Sequence, residues 1–344
     1  FANKKSGYLG IYKKHILSFF TSGKIVFIDK INFYKGSLDY FIVDNNLKDK
    51  KLFDPKVNFA GIKDIFVDNE TLYISLTEEI KKNCFNTSLY KAKINFKFIN
   101  FEEVYRTNEC FLTVNKANSF RYFSGYQTGG RIEKIKDKIY LSLGDYNKWE
   151  NVQTLKSSAG KVLEIDIDSN KFKFVSIGHR NPQGLHYIEN SNLLISTEHG
   201  PKGGDEINLI NLDEKDSTPN YGWPIASYGK HYPVFPINSF TKKYAPLKKS
   251  HKENGFIEPL KYFTPAIGIS QIIENYTVKN NFFVSSLRQK TIFEVQLDSN
   301  FNFIKNEKEI KIGERIRDII YDNEHNCYLI YGESTPKLIS MCPN

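Results

Sequence analysis

Short runs in which apolar and polar residues alternate recur along almost the whole chain. Such period-2 alternation is typical of half-buried β-strands. In several places two runs flank an Asn- or Asp-containing turn, as in residues 61–79, which read GIKDIFVDNETLYISLTEE. Five such units begin at Gly61, Gly130, Gln183, Gly268 and Arg315. The pattern predicts repeated antiparallel strand pairs, because Asn and Asp favour the tight turns that join neighbouring strands.

A third alternating run follows most of these strand pairs. The third runs read SLYKAKINF, GKVLEIDID, DEINLINL and TIFEVQLD. The units begin roughly 50 to 85 residues apart, which is the length of one four-stranded propeller blade plus variable loops. Residues 8–44 contain further strand-like runs, KIVFIDK and SLDYFIVD, and can supply a sixth unit that closes the ring.

We therefore predict an all-β fold, a six-bladed β-propeller with four-stranded antiparallel blades, and treat residues 1–344 as a single domain. The alternative, an irregular pair of β-sandwiches, explains the repeat less well. The longest stretch without strand alternation is 212–262, which is rich in Pro and aromatic residues. Loops of this length in a compact domain are usually functional, and we expect the long loops to lie over one face of the propeller.

Composition supports a β-rich protein and narrows the range of partners. The chain carries 27 Phe and 21 Tyr, and aromatic residues fit pleated, half-buried surfaces. Its net charge is +9, which can attract anions. The lysines are scattered, however, with no block of five or six like charges, so nucleic acid is not an expected partner. No run of eighteen apolar residues occurs, so we expect no transmembrane helix.

The chain start and the cysteines bear on localisation. The sequence begins with Phe instead of Met, which suggests processing and hints at export, so we expect a periplasmic or secreted protein. Four cysteines allow three pairings. Cys84 with Cys110 and Cys327 with Cys342 is one of them, and four buried free thiols are the alternative.

The densest candidate chemistry lies in residues 177–210 and 220–224. GHRNPQGL at 178–185, EHGPKGGDEINLI at 198–210 and NYGWP at 220–224 occur in this order. These motifs resemble the glucose/sorbosone dehydrogenase family, the soluble pyrroloquinoline quinone (PQQ) aldose dehydrogenases and their propeller relatives. The resemblance extends from about Gly129 to the C-terminus, whereas residues 1–120 match only as generic blade sequence.

The resemblance implies oxidation of a sugar, an aldose, or a related alcohol by hydride transfer to PQQ. PQQ is a planar tricarboxylate, and arginine binds carboxylates through a planar fork that stays charged. In the family, positions matching Arg180 and Asn181 contact the quinone region, and positions matching Arg315 and Arg317 bind carboxylates. Arg288 stands where relatives often carry Lys. These arginines occupy corresponding places in successive repeats, so a propeller is expected to aim them at one axis.

The resemblance also implies calcium. Calcium takes oxygen ligands, including backbone carbonyls, and would make the quinone a better hydride acceptor. The family pattern puts the carbonyl groups of Gly200 and Pro201 on the catalytic ion. It puts Glu206 and the carbonyl group of Tyr221 on a second, structural ion. An ordinary glycine turn is the alternative, and the neighbouring DEIN and NYGWP motifs make it weaker.

The position of the expected base is occupied by Gln127. Relatives carry a histidine two residues before the turn at 129–131, where it takes the proton of the sugar hydroxyl. Glutamine can only orient a hydroxyl group by hydrogen bonding. His179, His199 and Asp145 are alternative bases, although both histidines are more simply explained by packing. The expected catalytic residues are thus Gln127, at the base position, and Arg180.

Two functions remain open. The first is PQQ- and calcium-dependent oxidation, slowed or redirected to another substrate by the missing histidine. The second is a non-catalytic secreted or surface propeller that binds a sugar or a protein through its loop face. The expected partners of the first are a small sugar or alcohol and an electron acceptor that the sequence does not identify. A homodimer is left open.

Overall fold

A computed structural model describes residues 6–49, 61–107, 109–112, 123, 125–189, 191–214, 217–233 and 237–343. The strands of its first half, in chain order, are β1 (Gly7–Tyr12), β2 (His15–Phe20), β3 (Ile25–Asp29), β4 (Tyr40–Asn45), β5 (Gly61–Asp68), β6 (Thr71–Lys81), β7 (Cys84–Lys93), β8 (Phe98–Ile99), β9 (Glu102–Arg106), β10 (Phe111–Leu112), β11 (Gly129–Ile135), β12 (Lys138–Leu143), β13 (Lys161–Asp166) and β14 (Phe172–Ile177).

The second half continues the same succession of short strands. They are β15 (Pro182–Ile188), β16 (Leu193–Glu198), β17 (Asp205–Asn211), β18 (Lys261–Phe263), β19 (Ile269–Glu274), β20 (Asn281–Ser286), β21 (Thr291–Leu297), β22 (Phe303–Lys311), β23 (Ile316–Asp322), β24 (Cys327–Gly332) and β25 (Lys337–Met341). Three short helices accompany them: α1 (Lys30–Tyr34), α2 (Trp149–Val152) and α3 (Ser239–Tyr244).

These strands form six small sheets, the blades of a β-propeller. Blade 1 is β1-β2-β3-β4 with the short parallel strand β8 at its outer edge, and blade 2 is β5-β6-β7 with β9 and β10 both pairing with β7. Blades 3, 4 and 5 have four antiparallel strands each, β11 to β14, β15 to β18 and β19 to β22. Blade 6 has three in the described residues, β23 to β25. The predicted six-bladed propeller is therefore confirmed.

The first strand of every blade lies at the centre. β1, β5, β11, β15, β19 and β23 contact one another in that order, and β23 closes the ring against β1. The apolar core lies between neighbouring sheets. Phe19 and Phe27 of blade 1, for example, belong to one buried cluster with Ile62 and Ile74 of blade 2. Successive side chains of a strand point to opposite faces of the sheet, so a strand buried along its whole length, such as β2, supplies apolar side chains to both faces.

In three blades, a carboxylate of the central strand forms a hydrogen bond with the central strand of the next blade. Each of these strands contains a β-bulge, which shifts its register and aims an acidic side chain at the neighbour. The carboxylate then accepts a hydrogen bond from a backbone N–H group of the following central strand. The pairs are Asp64 with Ile132 N (2.8 Å), Glu133 with Tyr187 N (3.0 Å) and Asp318 with Leu9 N (2.8 Å).

The long stretch 212–262 is only partly irregular. It contains α3 and a 3₁₀ turn at Lys252–Asn254, and residues 261–263 form β18, the outer strand of blade 4. Its aromatic residues Trp223, Phe240 and Tyr244 pack in one cluster with Trp149 of α2. The cluster anchors this stretch to the loop that joins the second and third strands of blade 3.

Both cysteine pairs are bonded, Cys84 with Cys110 and Cys327 with Cys342. This is one of the three pairings that the sequence left open, and it rules out the free-thiol alternative in this structure. Among the helices of the described residues, none has the length and apolar character that a membrane crossing requires.

Candidate functional site

Gln127 lies in a tight turn immediately before β11. Its backbone is in the left-handed region, with φ at +60°, and its carbonyl oxygen accepts a hydrogen bond from Tyr146 N at 3.0 Å. Gly144 packs directly against that carbonyl, because a Cβ atom at Gly144 would lie 2.1 Å from the oxygen. The turn and the end of β12 therefore hold Gln127 in one place.

Asp145 follows Gly144 and lies fully buried beneath Gln127. Its carboxylate accepts hydrogen bonds from Asn147 N at 2.8 Å and from Trp223 Nε1 at 2.7 Å. Burial raises the pKa of Asp145 to about 7, although the positive charge of Arg180 works in the opposite direction. A carboxyl group that titrates near neutral pH is thus part of the site.

The side-chain amide of Gln127 lies between Asp145 and Arg180. Its Nε2 group donates to Asp145 Oδ1 at 2.5 Å and faces Oδ2 at 3.1 Å, while its Oε1 atom accepts from Arg180 Nη2 at 3.2 Å. The opposite orientation would place oxygen against carboxylate and nitrogen against guanidinium. A negative group on one side and a positive group on the other therefore fix the amide.

Arg180 is 8 % exposed and is held from several directions just before β15. Its backbone N–H group donates to Glu198 Oε2 at 2.7 Å, and its Nη1 group donates to the carbonyl of His199 at 2.8 Å. The guanidinium lies 5.3 Å from the centre of the Trp223 ring. Its Nε group is buried and has no hydrogen-bond partner in the described part of the chain. The Nε donor of the Arg180 guanidinium is thus without an acceptor in the described residues.

The two candidate histidines are occupied by structural partners. His179 is fully buried, with Nε2 at 2.7 Å from Ser176 Oγ and Nδ1 at 3.2 Å from Glu198 Oε1. His199 Nδ1 lies 3.8 Å from Asp205 Oδ1. Burial alone would raise the pKa of Glu198, but His179 and the neighbouring N–H groups lower it below its usual value. His179 therefore organises the wall of the site and leaves no free ring nitrogen for a ligand.

Arg315 and Arg317 converge, but on a residue of the chain itself. Arg317 Nε donates to Glu333 Oε2 at 2.9 Å, and Arg315 Nε donates to Glu333 Oε1 at 3.1 Å. Arg317 is largely buried, whereas the side chain of Arg315 is 44 % exposed. Glu333 thus neutralises one of their two charges, and no sequence motif pointed to this residue.

A hydrogen-bonded chain connects Arg317 with Asn181. Arg317 Nη1 donates to Gln183 Oε1 at 3.0 Å, and Gln183 Nε2 donates to Asn181 Oδ1 at 3.2 Å. Gly129 N also donates to Asn181 Oδ1, at 3.3 Å. Since the oxygen of Asn181 is engaged twice, its Nδ2 group is turned toward other partners, and none is present among the described residues.

Arg131 lies at the centre of the ring and is a second residue that the sequence motifs did not assign. It donates to Asp64 Oδ1 at 2.9 Å, to Asp318 Oδ1 at 2.8 Å and to the carbonyl of Arg317 at 2.9 Å. All three side chains of this ion network are buried. The repeated GIKD and RIRD sequences carry the two aspartates, so their common place in the repeat was the available signal.

Arg288 does not join the buried group. It is exposed at the end of β20, and its described hydrogen bond, from Nη1 to the carbonyl of Ala266, is 3.4 Å long. The structure thus brings Gln127, Asp145, Arg180 and Asn181 together and links Arg317 to them through Gln183. Arg288 and Arg315 lie nearer to solvent.

The turn at 199–205 has the close backbone packing that glycine permits. A Cβ atom at Gly200 would lie 1.9 Å from the carbonyl oxygen of Gly204, and Gly200 N donates to Asp205 Oδ1 at 3.1 Å. No described hydrogen bond is donated to the carbonyl oxygens of Gly200 or Pro201. Two backbone acceptors therefore remain in a rigid turn next to His199, to which Arg180 is bonded.

Glu206 is a buried carboxylate with few donors. Its nearest described polar partners are Asn208 Nδ2 at 3.5 Å and His251 Nε2 at 3.6 Å. Burial, reinforced by the negative charge of Glu198, raises the pKa of Glu206 well above its usual value. No described hydrogen bond is donated to the carbonyl of Tyr221. A buried carboxylate this poorly solvated has the electrostatics of an incomplete cation site.

Comparison with known proteins agrees with these motifs. The family model described as glucose / sorbosone dehydrogenase matches residues 59–340. Similar sequences include an uncharacterized Synechocystis protein, slr1608, at 30% identity over 250 residues (63% of this chain, 56% of the relative). Two others are aldose sugar dehydrogenase YliI of Escherichia coli, 28% identical (64% of this chain, 61% of the relative), and quinoprotein glucose dehydrogenase B of Acinetobacter calcoaceticus, 26% identical (61% and 59%).

These matches cover less than two thirds of the length of the curated relatives. Solved structures match over nearly the whole chain. A glucose dehydrogenase has a TM-score of 0.78 at 19% identity, with 99% of this chain and 97% of that chain covered. The PQQ-bound aldose sugar dehydrogenase of Streptomyces coelicolor has a TM-score of 0.67 at 17% identity, with 97% and 94% covered. At such identities the structural matches are informative about the fold.

Proposed function

The chain belongs to the glucose/sorbosone dehydrogenase family, and we propose that it binds PQQ and calcium and oxidises a sugar, an aldose, or a related alcohol. Residues 1–344 would form one propeller domain that works in the periplasm or outside the cell. Similar proteins are named as an aldose sugar dehydrogenase and a quinoprotein glucose dehydrogenase. The observation that supports it most is the buried guanidinium of Arg180, whose Nε group has no hydrogen-bond partner among the described residues.

The charges of the site fit a planar anion. Arg180 is buried without an ion-pair partner in the described residues, and Arg317 lies across the hydrogen-bonded chain through Gln183 and Asn181. Arg315 and Arg317 share one negative charge, Glu333, so the pair retains a net positive charge. Burial alone would lower the pKa of Arg317. The negative charge of Glu333 has the larger effect in the opposite direction, so the pKa of Arg317 lies above its usual value.

Each residue has a separate task in this proposal. Arg180 and Asn181 would donate hydrogen bonds to the quinone side of the cofactor, and Arg317 and Arg315 to its carboxylates. Arg288 would add a cation at the solvent side. When bound, PQQ supplies a hydride acceptor that calcium polarises. Gln127 would accept a hydrogen bond from the substrate hydroxyl and orient it, without removing its proton.

The carbonyl groups of Gly200 and Pro201 fit a calcium ion at the quinone. They lie in a closely packed turn and accept no hydrogen bond from the part of the chain that the structure describes, and calcium binds backbone carbonyls together with carboxylates. Glu206 and the Tyr221 carbonyl fit a second ion, because a cation would compensate the buried carboxylate.

A second function is supported by Gln127 itself. The family's base is a histidine; here both ring nitrogens of His179 are engaged, and His199 directs Nδ1 toward Asp205 Oδ1 at 3.8 Å. A propeller with this site could bind a sugar or a protein through its loop face without turnover. The electron acceptor would then have no role.

Reconstitution separates these functions. The purified protein is titrated with PQQ and CaCl₂ while absorbance and thermal unfolding are recorded, and reduction of an electron-accepting dye is then followed with D-glucose and other aldoses. Tight binding is expected to raise stability by roughly 3 kcal/mol at a hundredfold excess over Kd. Arg180→Met should abolish the shift, and the matched change of an exposed arginine, Arg106→Met, should preserve it.

Each result decides between the two functions. Dye reduction that requires PQQ, calcium and sugar together supports the dehydrogenase. Stabilisation without dye reduction supports binding without turnover. If saturating PQQ and calcium leave the melting temperature unchanged, the cofactor proposal is wrong.

A further inference from the structure

We propose that the disulfide between Cys84 and Cys110 is a redox-sensitive support of the candidate site, and that its reduction by a dithiol weakens ligand binding there. The bond lies in blade 2, whereas the structure that it supports is the loop of residues 144–160 in blade 3, which joins β12 to β13. The inference deepens the proposed function and rests on it only in taking the ligand to be PQQ with calcium.

The bond holds a short segment, residues 109–111, against blade 2. Cys84 is the first residue of β7, and Cys110 lies 26 positions later, immediately before β10. The described hydrogen bonds that attach this segment to blade 2 are few. They are the short pairing of β10 with β7 and a bond of 2.6 Å from Asn86 Nδ2 to the carbonyl of Glu109. The covalent bond therefore supplies much of the order of the segment, because it restricts the chain before the segment is fixed.

Glu109, on one side of Cys110, accepts four hydrogen bonds from the loop 144–160. Its Oε1 atom accepts from Ser157 Oγ at 2.5 Å and from Asn151 Nδ2 at 3.3 Å. Its Oε2 atom accepts from Ser158 N at 2.7 Å and from Ser158 Oγ at 2.8 Å. One carboxylate of blade 2 thus fixes α2 and the turn that follows it.

Phe111, on the other side of Cys110, supports the beginning of the same loop. Its ring stacks on the ring of Tyr146, with the ring centres 3.9 Å apart and the planes inclined by 4°. Both side chains are buried. Tyr146 N in turn donates to the carbonyl of Gln127 at 3.0 Å. The two residues that flank Cys110 therefore contact the loop near both of its ends.

The opposite side of the loop 144–160 forms part of the candidate site. Trp223 Nε1 donates to Asp145 at 2.7 Å, and Gln153 Nε2 donates to the carbonyl of Trp223 at 2.7 Å. The Trp223 ring lies 5.3 Å from the guanidinium of Arg180, and Asp145 N donates to the carbonyl of Arg180 at 2.8 Å. Movement of the loop would therefore displace the groups that surround Arg180.

Reduction proceeds by thiol–disulfide exchange with a dithiol. Cys84 is fully buried and Cys110 is partly exposed, so the attacking thiolate reaches the sulfur of Cys110. A mixed disulfide forms with Cys110, the bond to Cys84 breaks, and the Cys84 sulfur takes up the proton of the first thiol. The second thiol then closes the disulfide of the reductant and leaves Cys110 as a thiol. Two electrons and two protons pass from the dithiol to the protein.

The second disulfide provides a matched control. Cys327 pairs with the last residue of β23, at the opposite end of that strand from Arg317, so the bond from Cys327 to Cys342 lies away from the site. Cys327→Ser/Cys342→Ser leaves only the supporting bond to respond to a reductant. Cys84→Ser/Cys110→Ser leaves only the control bond.

The first test measures amide hydrogen exchange and needs no cofactor. In Cys327→Ser/Cys342→Ser, dithiothreitol should speed exchange in residues 144–160 by about tenfold or more and leave the strands of blade 5 unchanged. Oxidised glutathione should restore slow exchange. In Cys84→Ser/Cys110→Ser the loop should exchange fast from the start and ignore dithiothreitol. Loop exchange that is indifferent to reduction in the first variant would overturn the proposal.

The second test keeps both disulfides intact and removes the contact that transmits their effect. Glu109→Ala should speed exchange in residues 151–158, because it takes away the acceptor of four hydrogen bonds. Glu102→Ala, at an exposed glutamate of β9, is the control and should leave this exchange unchanged. Slow exchange that persists in Glu109→Ala would contradict the connection between the segment and the loop.

The third test measures affinity without any reductant in solution. PQQ is titrated into each double variant in the presence of CaCl₂, and its absorbance is followed. The Kd of Cys84→Ser/Cys110→Ser should be about tenfold higher than that of Cys327→Ser/Cys342→Ser. Equal affinities would overturn control of the site by this bond. Absence of PQQ binding in both variants would contradict the proposed function, while the exchange measurements still decide whether the disulfide supports the loop.

Discussion

At the scale of single residues, the chemistry of the site depends on the glutamine, Gln127, that stands at the position of the family's histidine. A histidine at position 127 would have its ring beside a buried carboxylate that already accepts three hydrogen bonds, one of them from Gln127. The partner that would orient an imidazole is therefore still present. Gln127 keeps the hydrogen-bonding geometry and lacks only the capacity to take a proton.

Gln127→His should consequently increase turnover of D-glucose by the reconstituted protein, on the order of a hundredfold, because general-base catalysis typically contributes that much or more. Steady-state dye reduction measures it. Gln289→His, at an exposed turn, is the matched control and should change nothing. Combining Gln127→His with Asp145→Asn should remove most of the gain. Equal activity of the single and double variants would show that Asp145 does not orient the new base.

The raised pKa of Asp145 also leads us to expect that the stability of the parent protein and that of Asp145→Asn differ in a pH-dependent way. The pKa of Asp145 is about 7 in the folded protein and about 3.9 in an unfolded chain, so the folded state binds the proton more tightly. Its ionisation therefore lowers the free energy of unfolding progressively between about pH 4 and pH 7 and no further above that. The difference between these two pKa values corresponds to roughly 4 kcal/mol.

Urea unfolding of Asp145→Asn and of the parent protein at several pH values measures this difference. The variant should gain stability relative to the parent from pH 4 to pH 7, and the gain should level off at higher pH. A difference that is constant over this range would mean that Asp145 titrates at an ordinary pKa.

The family resemblance of the motifs brought Gln127, Arg180 and Asn181 into one expected site, and those residues do lie together. Glu333 does not stand out in the sequence by type or spacing, and Gln183 stood out only as the start of a repeat unit, so neither contact could be predicted. Their roles arise when a strand of blade 6 and the start of blade 4 meet at the centre. Arg288 was expected at the site from its position in the repeat, but its side chain lies at the surface.

At the scale of strands, the alternation of apolar and polar residues predicted most of the fold. Five unit starts read from the sequence fall within one residue of the first residue of a central strand, from β5 to β23. The extra strands β8 and β10 were not foreseen, because pieces as short as two residues carry no periodic signal, and the five-residue strand β9 was not foreseen either. The carboxylate–backbone hydrogen bonds between central strands could not be predicted from the sequence either, because they depend on a bulge that aims the side chain at another blade.

Glu133 provides a test of these hydrogen bonds. Glu133→Ala would leave the buried N–H group of Tyr187 without its acceptor, and such a loss costs roughly 1–3 kcal/mol. Glu133→Gln should cost less, because an amide oxygen can still accept this hydrogen bond. Equilibrium urea unfolding compares the two. Equal losses would point instead to the charge interaction with His186, whose Nδ1 lies 3.7 Å from Glu133 Oε2.

At the scale of the whole molecule, the ring must be closed between blades that are far apart in sequence. No strand is shared between blade 1 and blade 6 in the described residues, so closure rests on contacts between complete blades. Leu9 donates to Asp318, and Ser6 Oγ donates to Glu333 Oε2 at 2.8 Å. Glu333 therefore serves both the arginine pair of the site and the closure of the ring.

The outer part of the closure is a buried ion pair. Lys30 of α1 and Asp322 of β23 have side chains that are 3 % and 1 % exposed, and their charged atoms are 3.1 Å apart. Asp322 also accepts a hydrogen bond from Tyr34 and lies 2.9 Å from His325 Nδ1. Asp322, Glu324 and His325 together have the composition of a metal site. The ammonium group of Lys30 is bonded to two of the three, so the cluster already has its cation.

Lys30→Met should therefore destabilise the protein by roughly 3–5 kcal/mol, because it leaves the Asp322 carboxylate buried without its counter-charge. Lys13→Met removes a lysine of the same blade from an exposed pair with Glu70 and should cost about 1 kcal/mol or less. Urea unfolding gives the magnitudes, and amide hydrogen exchange gives the place. Faster exchange should be confined to the central strands β1 and β23 and their neighbours, since the other blade contacts remain intact. Uniformly faster exchange in all six blades would show instead that the propeller opens as one cooperative unit and that this junction is no weaker than the others.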